Sequence, residues 1–333
     1  MPERCRGVKW GVRAVVVAMV CALCACEARP AARSVEARDA GASALDEGVT
    51  TTTPQTDALR ATPSSPRIVA SSDEIPVRPR RIVSLAPNVT ELLFALGVEP
   101  ERVVGVTRFC DRPAGEVEKI AKVGGFIDPD MEKILSLEPD LILGMKVGDV
   151  KLVDKLDGAN LRHVFFEMDT LAQTLEAMAV MGEVVGAPEQ GRALQQKIAA
   201  RLGDAPGQRR GPATLFLVGR EPLVMAGEGT FAAELVARAG GRMAADKQNY
   251  VMVDMEYVLK LDPEVILDTS MPADPDEKDT FWSAYEGLRA VKGGAVHGFD
   301  ASLMRPGPGL IEAQERLEQI YASEHKKHEG ASK

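Results

Sequence analysis

One segment of this chain occurs twice. Residues 130–143 read DMEKILSLEPDLIL and residues 254–267 read DMEYVLKLDPEVIL, with eight of fourteen positions identical. Each copy sets out the same elements. An Asp suited to cap a helix precedes a short stretch with its apolar residues on one helical face. A Leu-x-Pro stop and an apolar run of strand character follow. The copies stand 124 residues apart, far beyond the roughly 20–50-residue period of a solenoid. They predict two similar α/β lobes, and two lobes enclose a cleft in which a ligand can sit.

The first residues stand outside this pattern. Arg4, Arg6, Lys9 and Arg13 precede an apolar run, Ala14 to Ala25, of 12 residues. That is short for a permanent membrane span and reads as a secretory signal peptide over residues 1–25. Its end, Leu23-Cys24-Ala25-Cys26, resembles the lipobox of bacterial lipoproteins, which implies lipidation of Cys26 as the first mature residue. Of five cysteines only Cys110 would then remain as a free thiol, so no disulfide can form within the mature chain. Residues 26–78 are rich in Ala, Ser, Thr, Pro, Asp and Arg, a composition that cannot bury enough apolar surface to offset ordering entropy, and read as a disordered tether.

Four basic side chains and one acidic lie in residues 1–25; without them the 40 basic and 49 acidic residues become 36 and 48, a net charge of −12. This balance argues against nucleic acid as a partner. It also makes the lipid, not a basic patch, the expected membrane attachment.

Strands are expected at 81–85, 103–107, 141–145 and 161–166 in the first half, and at 214–218, 265–268 and 295–299 in the second. Asn88-Val89-Thr90-Glu91 resembles a capping box for a helix that stops at Gly97. Helices are also expected over 170–185, from Pro188 for about four turns, from Phe231 to Ala239, and over 308–321. Strands alternating with helices predict mostly parallel sheets. The boundaries are a first lobe at 79–186, a connecting helix at 187–204, a second lobe at 205–325 and a charged tail at 326–333.

Three stretches of the first half, RIVSLAPNVTELLFALG, VVGVTRFCDRP and KVGGFIDPDMEKILSLEPDLILG, and three of the second, PLVMAGEGTFAAELVARAGG, LDPEVILDTS and MRPGPGLIEAQERL, together resemble the periplasmic cobalamin- and siderophore-binding proteins that serve ABC importers. The resemblance runs from about Arg81 to Tyr321, its motifs in family order. It implies two Rossmann-like α/β lobes joined by one long rigid helix, here Pro188 to Leu202, with small lobe closure because a helix has no soft hinge. It further implies a periplasmic location, the importer's membrane subunits as partners, a monomer, and a metal-chelate small molecule as ligand, with no intrinsic cofactor.

In parallel α/β sheets ligands sit at the carboxyl ends of strands. The residues expected there are Asn88, Arg108, Phe109, Phe126, Met145 and Phe166 in the first lobe, and Arg220, Trp282 and Arg305 in the second. Phe109, Phe126 and Phe166 fall where cobalamin-binding relatives carry aromatic residues, which favours a corrinoid. The guanidinium groups suit the carboxylate or catecholate oxygens of a ferric siderophore, and siderophore or haem is the alternative ligand. Core packing is the alternative role for each Phe, a surface ion pair for Arg220 and Arg305, and a small buried residue for Cys110. The relatives dock on their importers through one acidic residue on each lobe. Here those positions fall near Val150 and Met304, so Asp149, Asp300 and Glu312 become the docking candidates.

A zinc or manganese carrier would need His and carboxylates clustered on both lobes. The four histidines are scattered, and His325 and His328 lie in the charged tail. An enzyme using the cleft is the alternative from another class. Its one suggestive motif, AGEGT at 226–230, lacks the Lys-Ser/Thr of a P-loop, and no Ser-His-Asp or Cys-His arrangement stands out.

Overall fold

The computed structural model describes residues 68–70, 75–76, 78–145, 150–203, 211–272 and 279–331. The leader with Cys26, most of the tether, most of the loop expected at 203–211, and Asp149 lie outside these residues. The first sheet has the order β1-β6-β5-β2-β3-β4, with β1 at Ile68–Ala70, β2 at Ile82–Ser84, β3 at Val103–Val106, β4 at Ala121–Lys122, β5 at Leu141–Met145 and β6 at His163–Phe166. All its pairings are parallel except β1 on β6. Residues 68–70, assigned to the tether by composition, thus close the edge of the first sheet as β1.

The second sheet departs further from expectation. It has the order β10-β8-β7-β11-β12, with β9 beside β7. The strands are β7 at Ala213–Arg220, β8 at Leu223–Ala226, β9 at Arg242–Met243, β10 at Tyr250–Met252, β11 at Val265–Asp268 and β12 at Val296–Gly298. β7, β11 and β12 run parallel, but β8 returns antiparallel to β7 and β10 pairs antiparallel with β8. The sheet is therefore mixed. Its hairpin is hard to read from sequence because the returning strand β8 has only four residues and the Gly-Glu-Gly after it suggests only a loop.

The duplicated segments form α2 (Met131–Ser136) before β5 and α7 (Met255–Leu261) before β11. As expected, Asp130 accepts from Lys133 N at 3.0 Å and Asp254 from Tyr257 N at 2.8 Å. Each copy stops in the same way. Glu138 (φ 45°) and Asp262 (φ 41°) are left-handed immediately before Pro, where an extended residue is the usual outcome. The carbonyl at each corner is caught by an arginine: Arg81 Nε donates to Glu138 O and Arg289 Nε to Asp262 O, both at 3.1 Å. These contacts offset the cost, about 1–2 kcal/mol, of a left-handed non-glycine residue.

Between the sheets the chain runs through α4 (Leu171–Val185) and α5 (Pro188–Leu202), after α3 (Val150–Gly158). Thr170 and Gln173 form a capping box at the start of α4, and Gly186 (φ 77°) ends it. Pro188 opens α5 where its fixed φ suits a helix start. The two helices pack so closely that a Cβ on Gly182 would lie 2.8 Å from Gly191 Cα, and one on Gly191 2.8 Å from Met178 O. The remaining helices are α1 (Pro87–Ala95), α6 (Phe231–Arg238), α8 (Arg289–Lys292) and α9 (Leu310–Ala331). α9 continues ten residues beyond the expected end at Tyr321, through most of the charged tail. Glu324 on it, just ahead of the tail, is only 3% exposed and bonded to His297 at 3.0 Å and to Lys327 of the tail at 2.7 Å, a contact that favours helix into the tail.

Candidate functional site

In the first sheet the chain passes from β2 outward to β3 and β4, then returns to the other side of β2 as β5 and β6. The carboxyl ends of β2 and β5 are therefore the topological switch point, where open α/β sheets bind ligands. A pocket lies there, lined by Ala86, Pro87, Asn88, Phe126, Met145, Arg305 and Pro306. The first five belong to the first half of the chain; Arg305 and Pro306 lie beyond β12 in the second. The free volume is about 30 Å³, room for a water or two rather than for a macrocycle.

Asn88 and Glu91 do not form the expected capping box. Pro87 starts α1 two residues earlier, with Ala86 as the uncapped flanking residue. Asn88 is thereby released to the pocket, where its side-chain amide donates to Pro306 O at 3.2 Å and lies against Met168 Sδ and Met145 Sδ at 3.2 and 3.5 Å. Glu91 pairs instead with Arg305, whose Nη1 donates to Glu91 Oε1 and to Asp111 Oδ1, each at 2.6 Å, while Nη2 donates to Asp111 Oδ2 at 3.1 Å. Burial pushes the Glu91 carboxyl up and outweighs the guanidinium. For Asp111 burial also pushes upward, but the Arg305 hydrogen bonds and charge prevail and the carboxyl is held below its usual range. Arg112 reaches Asp300 at 3.3 Å across the same junction.

The other expected site residues divide. Phe126 and Met145 line the pocket and are 6% and 7% exposed. Phe109 is half-buried beneath the Arg108 guanidinium, 4.7 Å from its ring centroid, and Arg108 pairs with Asp128 at 3.5 Å. Phe166 is a correction: at 1% exposure it packs in the core, because β6 is covered on both faces. Arg220 and Trp282 belong to a separate cluster at the carboxyl ends of β7 and β11. There Asp268, fully buried, accepts from Arg220 Nε at 2.8 Å and Trp282 Nε1 at 2.9 Å. Arg220 also pairs with Asp279 at 2.9 Å and stacks on Phe281 at 4.2 Å. Cys110 is buried between Thr90 and Thr107, 3.2 Å from each hydroxyl, and burial pushes its thiol up. Among the docking candidates, Asp300 caps the short turn 301–304 by accepting from Ser302 N, and Glu312 is exposed in the first turn of α9.

Tyr250 was not anticipated, although the repeat points to it. The offset of 124 that superposes the duplicated segments carries Phe126 onto Tyr250. Its ring packs against the same core cluster as Phe126 and Met145, and burial, with the Asp169 charge, raises its phenol pKa. Glu91 and Asp111 had no comparable signal, lying 214 and 194 residues from Arg305. Among the described residues no group of three or more His, Cys, Asp or Glu is arranged to hold a metal ion.

The family described as "Periplasmic binding protein" matches residues 82–302. The ABC transporter substrate-binding lipoprotein YvrC of Bacillus subtilis is 30% identical over 269 residues, covering 76% of this chain and 84% of its own. A vitamin B12-binding protein of Vibrio cholerae is 29% identical over 254 residues, covering 73% and 89%. The crystal structure of the periplasmic vitamin B12 binding protein BtuF of Vibrio cholerae superposes with a TM-score of 0.62 at 24% identity, over 75% of this chain and all of that one. These likenesses are to substrate-binding transport proteins, not to enzymes.

Proposed function

From the premise that this chain belongs to the periplasmic binding protein family of ABC importers, we propose that it captures a corrinoid and hands it to an importer's membrane subunits. The observation that carries the choice of ligand is the charge inventory. Each arginine expected to meet an anionic siderophore is matched by a carboxylate, Arg305 by Glu91 and Asp111, Arg220 by Asp268 and Asp279, and Arg108 by Asp128, and the neighbouring Arg112 pairs with Asp300. The pocket itself presents a ring, a thioether, two prolines, a carboxamide and one guanidinium, that of Arg305, already paired with two carboxylates. Such a lining suits the face and amide rim of a corrinoid better than catecholate or carboxylate oxygens. The vitamin B12-binding relatives support the same reading.

Calorimetric titration of the full chain with cyanocobalamin, cobinamide, haem and a panel of ferric siderophores tests this. A corrinoid is expected to bind with a Kd of about 1 μM or tighter, about −8 kcal/mol. Tight binding of a siderophore or haem with no heat from either corrinoid would overturn the assignment.

Attachment through Cys26 belongs to the same proposal, supported by the lipobox-like Leu23-Cys24-Ala25-Cys26 and by a relative named as a lipoprotein. Cells fed an alkynyl fatty acid are expected to label the parent chain and not Cys26→Ser; equal labelling of both would refute it.

A further inference from the structure

The polar links around Arg305 share a geometry that the binding role does not require. Residues 300–306, just beyond β12, are tied to residues 88–112 of the first half by four separate side chains. Arg305 grips Glu91 on α1 and Asp111 in the loop after β3. Arg112 reaches back to Asp300, and Asn88 donates to Pro306 O. Arg305 and Glu91 are each 9% exposed on their side chains, so this grip is shielded from solvent and salt where it is strongest. Beneath it lie Phe126 and Met145, lining a pocket with about 30 Å³ of free volume.

Two backbone-anchored links between the halves, among the described residues, are of another kind. Asp169 O accepts from Phe231 N at 3.0 Å, and Leu171 N donates to Glu234 Oε1 at 3.1 Å. They sit at the start of α4, the helix that leads into the connector. The 300–306 contacts are made by a segment far along the chain from it, and they cover the apolar pocket.

We propose that Arg305 is a positioning residue, the centre of an ionic clasp with Glu91 and Asp111 that holds the two lobes together over Phe126 and Met145, and that releasing this clasp is the step that admits ligand. Arg305 then acts on the spacing of the lobes and not by contacting an anionic ligand group, since its charge is already met by two carboxylates. The inference holds for any ligand of the cleft and does not depend on its being a corrinoid.

The test measures lobe spacing without ligand. Leu135 on α2 and Leu259 on α7 occupy the same position of the two repeats and are 47% and 46% exposed. In the full chain with its five cysteines replaced by serine, nitroxides at L135C and L259C report the distance between lobes by pulsed electron resonance. R305M and D111N are expected to broaden the distribution and shift it to longer distances, with R305K between them and the parent. The same variants are expected to take up cyanocobalamin roughly threefold faster or more, because the open fraction scales the observed rate. Distributions for R305M and D111N that coincide with the parent overturn the clasp, whether or not affinity or melting temperature changes. A slower association with unchanged distances would assign Arg305 to the ligand instead. Should R305M fail to fold, D111N carries the test, since the Asp111 side chain is 43% exposed.

Discussion

Replacing Asp268 by Ala is expected to destabilise the protein by about 3–5 kcal/mol, the range for removing one partner of a buried, hydrogen-bonded charge pair. Asp268 is fully buried at the end of β11. One of its oxygens receives both Arg220 Nε and Trp282 Nε1, and the other receives Ser270 N at 2.8 Å. Alanine removes three acceptor contacts at once. It leaves Arg220, 15% exposed, with Asp279 as its remaining ion-pair partner among the described residues, and strands an indole N–H in an apolar cluster. Urea unfolding followed by Trp fluorescence would read the loss, and a change below about 1 kcal/mol would show that the site relaxes around the vacancy. Asn is expected to cost less than Ala, since it keeps an acceptor oxygen but not the charge.

Phe126→Ala is expected to weaken corrinoid binding about 10- to 100-fold. That range comes from the roughly 1.5–3 kcal/mol of a buried aromatic side chain and from the tenfold change in Kd that about 1.4 kcal/mol produces. Phe126→Trp keeps an aromatic face and is expected to retain most of the affinity, whereas Leu135→Ala, on the exposed face of α2, is expected to leave it unchanged. Calorimetry on each folded variant decides the matter. An alanine variant that binds as tightly as the parent would remove Phe126 from the ligand contact and leave it as wall packing.

The parts of this structure that were legible in the sequence are those set by neighbours along the chain. Asp130 and Asp254 cap helices because the acceptor and its donor lie three residues apart. Phe126 and Met145 could be placed at the cleft because the end of a strand fixes where the next few residues lie. Where two local signals competed, the stiffer prevailed: Pro87 fixed the start of α1 and displaced Asn88 from the cap it resembled. Phe166 misled because a strand covered on both faces shows no alternation to separate core from cleft. The arginines misled for the opposite reason. Arg220 and Arg305 were readable either as ligand-facing cations or as members of surface ion pairs, and the carboxylates that neutralise Arg305 arrive from about 200 residues away, a distance over which no local pattern survives.

The contact between Gly182 and Gly191 bears on how force travels through the molecule. Two rods touching along their length resist bending in their common plane more than across it, so α4 and α5 form a flat strap rather than a round shaft. A strap flexes about one axis. Displacement of one lobe against the other that keeps this contact intact is expected to favour the direction in which the strap is thin.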